Sequence, residues 1–221
     1  MIGGSLQAIG WVFLPFLGWP IIHLAFGRKH LVWNFSESLI SLIDSMIYRL
    51  GEIAKWLLPL LILSVAASVF ALSIFGITTT KWLESAKYFQ AFIIMLGAAA
   101  ALLASQHVRV DIFHTRMSPK GKARVDLFGY LILLLPACIL LILNSQSFVS
   151  FAWSIREGSS EADGIRGVFI LKTLIPIFAI TMLVQGLSIA TRAAMCLRDQ
   201  IDPPLPIGLP SFFPPSSEDN S

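Results

Sequence analysis

The chain has 221 residues, 56% of them hydrophobic and 13% charged, with a mean hydropathy of +0.76. A soluble domain carries about 25% charged residues, so this composition excludes an ordinary water-soluble globule. The formal charge of +3 reflects Lys- and Arg-rich loops beside a membrane and needs no nucleic acid partner. Cys138 and Cys196 form neither a CxxC nor a metal-ligand spacing, which excludes a disulfide-stapled secreted fold.

The first 55 residues read as an N-terminal interfacial region. Residues 1–27 contain no Asp, Glu, Lys or Arg, but Gly3, Gly4, Gly10, Pro15, Gly18, Pro20 and Gly27 interrupt them. Length alone permits a fifth crossing; the many helix breakers favour an interfacial or partner-covered segment. No positive leader with a small-residue cleavage site opens the chain, so Met1 is expected to be retained. Further on, Leu39, Ile43, Met46, Ile47, Leu50, Ile53, Ala54 and Leu57 recur at helical spacing. Ser41, Asp44, Ser45, Arg49 and Glu52 take the other face, predicting an amphipathic helix on the cytoplasmic surface.

Four windows then lack every charged residue: Trp56–Thr80, Tyr88–Val108, Leu127–Ile155 and Thr173–Thr191. Each approaches or exceeds the roughly 20 residues that cross the hydrocarbon core. The reading is an all-α polytopic membrane protein. Its four-helix domain covers residues 56–195, with spans at about 56–78, 88–107, 127–152 and 172–192. Eleven of the sixteen Lys and Arg fall before the first span, in the second loop or in the tail. The positive-inside rule therefore places both ends and the second loop in the cytoplasm, and the first and third loops outside. Trp56, Tyr88, Tyr130, Trp82 and Trp153 are expected at the interfaces. Pro59, Pro136 and Pro176 should kink their spans or loosen a turn. Gly97 with Ala101, and Ser64 with Ser68, permit close helix approach. Residues 196–221 form a proline-rich cytoplasmic tail, favouring extended structure.

The chemistry available to such a chain is limited. Charged groups inside a bilayer usually mark an ion or proton path, and the four windows hold none. A haem between spans needs axial histidines on them; His23, His30, His107 and His114 all lie outside the span interiors. His107, Asp111 and His114 share a helical face but open a basic loop, and no metal site is assigned. No GxSxG or phosphate-binding loop occurs. Gln185 in the fourth span, and Asn144, Ser145, Gln146 and Ser147 in the third, are polar without charge and suit interhelical hydrogen bonds. The residues alone describe a structural or auxiliary membrane subunit with no catalytic or substrate-binding group.

Several segments, in order, carry a resemblance. Trp82-Leu83-Glu84 precedes an Ala/Gly-rich second helix that ends in Gln106-His107-Val108-Arg109-Val110-Asp111. Leu133-Leu134-Leu135-Pro136-Ala137-Cys138 lies in the third span, and Trp153-Ser154-Ile155-Arg156-Glu157, with Ser159 and Ser160, follows it. Lys172-Thr173-Leu174-Ile175-Pro176-Ile177 opens the fourth span and Leu183-Val184-Gln185-Gly186-Leu187 closes it. From about Gly51 to Ala194 the chain resembles the small membrane subunit of tripartite ATP-independent periplasmic (TRAP) transporters, the DctQ-type permease. The N-terminal 50 residues are longer than the basic family pattern.

The resemblance implies a scaffold subunit in the bacterial inner membrane. It would brace a large, DctM-type elevator permease during sodium-coupled uptake of an organic acid delivered by a periplasmic binding protein. It implies no cofactor here, the sodium sites belonging to the large subunit; the partners are that subunit, the binding protein and membrane lipids. Glu84, His107, Arg109, Asp111 and Gln185 are the signature residues it implies. Arg109 and Asp111 are expected to fix the end of the second helix through charge-assisted bonds or lipid headgroups. Glu84 would pair with a base or cap its helix, and Arg156, Glu157 and Lys172 are candidate periplasmic contacts. The alternative is an accessory structural subunit of a respiratory or light-harvesting complex.

Overall fold

The computed structural model describes residues 18–26, 30–76, 79–104, 118–161 and 163–198. All regular structure among them is helical. The elements are α1 (Trp19–Phe26), α2 (His30–Phe75), α3 (Thr80–Leu103), α4 (Pro119–Phe128), a π-helical turn (Gly129–Leu134), α5 (Leu135–Ser154) and α6 (Val168–Leu197). Four stretches are long and apolar enough to cross a membrane: Val32–Phe75, Thr80–Leu103, Lys120–Ser154 and Val168–Leu197.

The packing is inverted relative to a soluble protein. Trp56, Ile62, Leu63, Phe70 and Phe75 are exposed, whereas Ala99, Ala152, Ala179, Ala190 and Ala194 are fully buried. Lipid tails solvate large apolar side chains, so helix association in a bilayer relies on small residues that let backbones approach. The central helix, α6, follows this rule. Its buried residues include Ala179, Gly186, Ser188, Ala190, Thr191, Ala193 and Ala194, and it packs on every other element. At Gly186 a Cβ would lie 2.3 Å from Leu134 and 2.9 Å from the Tyr130 ring. Tyr130 thus packs in the core, not at the interface where an aromatic near a span's start was expected; the space over Gly186 admits its ring.

Helix α2 runs for 46 residues without a break, about 69 Å at ~1.5 Å per residue and more than twice the hydrocarbon thickness. The predicted amphipathic helix and first span are one rod. Gly51 does not interrupt it, because its missing side chain admits α3: a Cβ there would sit 2.6 Å from the Ala100 Cβ. Pro59 is also taken up inside the helix. The rod ends at Gly76, whose φ of +62° is the left-handed helix-ending conformation that glycine adopts without penalty. Pro136 is accommodated by the wider π-helical turn just before it. Between α2 and α3 lies a groove of about 240 Å³, floored by Gly51, Ala54, Gly97 and Ala100. Higher up, Ser64 and Ser85 share a hydrogen bond of 2.6 Å across the two helices.

The buried arc of α2 contains Leu39, Ile40, Ile43, Ile47 and Ala54, while Met46 and Ile53 point outward. Asp44 departs most from expectation. Placed with the polar face by its chemistry, it is 8% exposed, because a cation from α6 meets it. The short α1 docks beneath α2 and α6: Trp19 Nε1 donates to Ser36 Oγ at 3.0 Å. Arg198 Nη2 donates to the Ala25 carbonyl at 3.1 Å. Residues 1–17 and the tail beyond residue 198, both subjects of expectations above, lie outside the described residues.

Candidate functional site

Two polar constellations stand out from the apolar surface. The first is the loop joining α5 to α6. Helix α5 ends in a two-bond reversal: Glu157 N–H donates to the Ala152 carbonyl at 2.9 Å and Arg156 N–H to that of Trp153 at 3.3 Å. This pattern places residue 156 in the left-handed region, usually a glycine position. Arg156 occupies it with φ +47°, and its side chain is exposed.

Glu84 of α3 ties this loop down. Ser159 Oγ donates to Glu84 Oε1, and the Ile165 N–H donates to Oε2 at 2.6 Å. Ser159 N–H also donates to the Ile165 carbonyl at 3.1 Å, so one carboxylate closes the neck of the loop. Gly164 permits this, since a Cβ there would lie 2.3 Å from Ser159 Cβ and 2.9 Å from Glu84 Oε2. The rim adds two ion pairs: Lys81 with Asp163 at 2.6 Å and Lys172 with Glu157 at 2.5 Å. The Lys172 ammonium also sits 3.9 Å from the centre of the Phe148 ring. Trp153 Nε1 donates to Thr173 Oγ1 at 2.8 Å, tying α5 to α6 at their outer ends.

The second constellation joins α2 to the opposite end of α6. Arg192 Nη2 donates to Asp44 Oδ2. Ser188 Oγ donates to Oδ1 at 2.9 Å, and Gln185 Nε2 makes a longer contact of 3.4 Å with the same oxygen. Arg192 and Asp44 side chains are 12% and 11% exposed. A buried carboxylate is tolerated only when paired and hydrogen-bonded, and Asp44 meets both conditions within the chain. Positions 185, 188 and 192 recur at three- and four-residue steps, so α6 presents all three donors on one face.

The sequence-predicted residues divide between the two places. Glu84, Arg156, Glu157 and Lys172 gather at the α5–α6 loop, and Gln185 joins the inner cluster. His107, Arg109 and Asp111 lie outside the described residues. Glu157 and Lys172, expected to face a partner, are bonded to each other. In the third span Asn144 and Ser145 bond their own helix, to the Leu140 and Ile142 carbonyls. Sequence reasoning missed Asp44, Ser188 and Arg192. A signal was present: Asp44 is four residues after Ile40 and three before Ile47, both buried, which places it on the apolar arc.

Among the described residues, no group of three or more His, Cys, Asp or Glu converges as a metal site. Fold and polar clusters together define a multi-pass α-helical membrane protein whose buried charged groups, Asp44 and Glu84, fasten its own helices and loop. A family model for the tripartite ATP-independent periplasmic transporters, DctQ component, matches residues 61–196. The chain belongs to this family, the small permease component of TRAP transporters. Neither curated proteins nor solved structures give a significant match.

Proposed function

We propose that this chain is the stationary membrane subunit that braces the large permease of a TRAP transporter. In this reading the partner moves an organic acid, delivered by a periplasmic binding protein, with sodium as the coupling ion. The chain sits in the inner membrane with both ends and the second loop cytoplasmic, as the distribution of Lys and Arg favours. The α5–α6 loop then faces the periplasm.

The observation that carries the reading is the commitment of the buried carboxylate. A transport path needs ionisable groups that are free to meet an ion or substrate. Asp44 instead spends its acceptors on Ser188, Gln185 and Arg192 of the same chain. Such a cluster holds helices in place, as a scaffold requires: a domain that moves through the membrane must work against one that stays. The long rod of α2, with its widely exposed apolar surface, supplies bilayer anchorage for that purpose.

Affinity purification of the chain from its native membrane in mild detergent, with mass spectrometry of what accompanies it, tests the proposal. A much larger polytopic permease is the expected companion. Recovery of redox or pigment-binding subunits in its place would overturn the assignment.

A further inference from the structure

We propose that Arg156 and Arg166 form the contact through which this subunit receives an acidic face of the soluble binding protein. The inference rests on the transporter reading above and specifies the chemistry of one of its contacts.

The first observation is the backbone at Arg156. The helix-ending turn requires a left-handed residue there, and every side chain with a Cβ is disfavoured in that conformation relative to glycine. An arginine at φ +47° is not what the turn itself selects. Strained residues of this kind cluster where a side chain has work to do outside the fold. The turn also fixes where the Arg156 side chain leaves the chain, because both reversal bonds lock the adjacent peptides.

The second observation is the charge left over. Around the loop, Glu157 is taken by Lys172, Asp163 by Lys81, and Glu84 by Ser159 and the Ile165 N–H. Arg156 and Arg166 are both exposed and have no ion-pair partner among the described residues. Glu161 is the exposed acid that remains. The two arginines belong to the same loop neck, Arg166 packing beside Gly158, two residues on from Arg156: the position a Cβ would take on Gly158 lies 3.5 Å from Arg166 Cα and 3.6 Å from its Cγ. Two exposed guanidinium groups on one loop clamped by Glu84 suit carboxylates, which each can grip in bidentate fashion. Charged rims of this type govern encounter and register between proteins.

The test measures the affinity of the purified binding protein for the complete permease, small and large subunits together, in nanodiscs. Arg156→Gly is the informative variant, because glycine keeps the helix-ending turn while removing the guanidinium. The expected result is an affinity lowered about tenfold or more, with unchanged or raised thermal stability and intact association with the large subunit. Arg156→Glu should weaken binding further, and Arg156→Lys should keep part of it. The loss should shrink as salt is raised. Wild-type affinity in both Arg156→Gly and Arg156→Glu overturns the proposal, including the case in which only adsorption to anionic vesicles falls. If the wild-type permease binds no soluble partner at any salt concentration, the transporter reading fails with it.

Discussion

Arg192 of α6 donates a hydrogen bond to Asp44 of α2, joining positions separated by 148 residues of sequence. The bond lies between the helix that contacts every other element and the rod that carries more exposed large apolar side chains than any other helix. Removing one member of a buried pair leaves the other charged and desolvated, which costs about 3–5 kcal/mol. Asp44→Ala should therefore lower the thermal midpoint in detergent markedly, and Arg192→Leu should do likewise. The double variant Asp44→Leu with Arg192→Leu should recover much of the loss, since no lone charge remains. Strict additivity of the two single changes would show that the residues are not coupled.

The Glu84 clamp predicts protection of the outer loop. In Glu84→Gln one carboxylate oxygen becomes an NH2 group, which accepts from neither Ser159 Oγ nor the Ile165 N–H. Hydrogen bonds to a charged acceptor are stronger than those between neutral groups, so local opening of the loop should increase in the variant. Trypsin added from the periplasmic side of oriented membranes should cut faster after Arg156 and Arg166. Equal cleavage rates in wild type and variant would remove Glu84 from this role.

Helix contact at Gly51 is a further test. Its Cα faces Ala100 so closely that a Cβ would meet the Ala100 Cβ at 2.6 Å, and neither atom has a rotamer to escape into. Gly51→Ala should destabilise the α2–α3 contact by roughly 1–3 kcal/mol. Ala100→Gly in the same chain should restore it; no rescue would mean that the two helices adjust elsewhere.

His23 makes the docking of α1 depend on pH. Its ring is fully buried, and neither nitrogen has a hydrogen-bond partner among the described residues. The groups facing it are the Trp33 ring of α2, centred 6.0 Å away, and the Arg198 cation after α6. Trp33 in turn donates to Glu37 at 2.9 Å. Burial first, and then Arg198, push the imidazole below its ordinary value of 6.5. The undocked form thus binds the proton more readily, and docking strengthens as pH rises. Docking is complete above the ordinary value and weakens as pH falls from there toward the docked value. Hydrogen exchange at Ile21–Ala25, corrected for intrinsic rates, should accelerate below pH 6.5. His23→Leu should abolish that acceleration, and its persistence would point to another group.

What could be read in the sequence follows the physics of each feature. The four charge-free windows found the four long helices because hydrocarbon imposes a composition on every residue that faces it. The windows could not show that α2 continues unbroken from His30, since Gly51 and Pro59 weaken a helix locally but are absorbed by packing. Asp44 was misplaced because a carboxylate at helical spacing looks solvated until its partner is known. That partner lies at the far end of the chain. Glu84 was recognised from the family pattern, but its target is mostly backbone and a serine, and neither the Ile165 N–H nor Ser159 announces itself by charge. Arg156 was noticed for its charge; its left-handed backbone is a property of the turn, visible only once the helix ending is seen.

The most direct test of the central claim is uptake into proteoliposomes. The large permease would be reconstituted with and without this chain, the binding protein loaded with an organic acid outside, and a sodium gradient imposed. The account predicts uptake only when both membrane subunits are present, and none from this chain alone. Equal uptake by the large permease without this chain, or transport by this chain on its own, would contradict it.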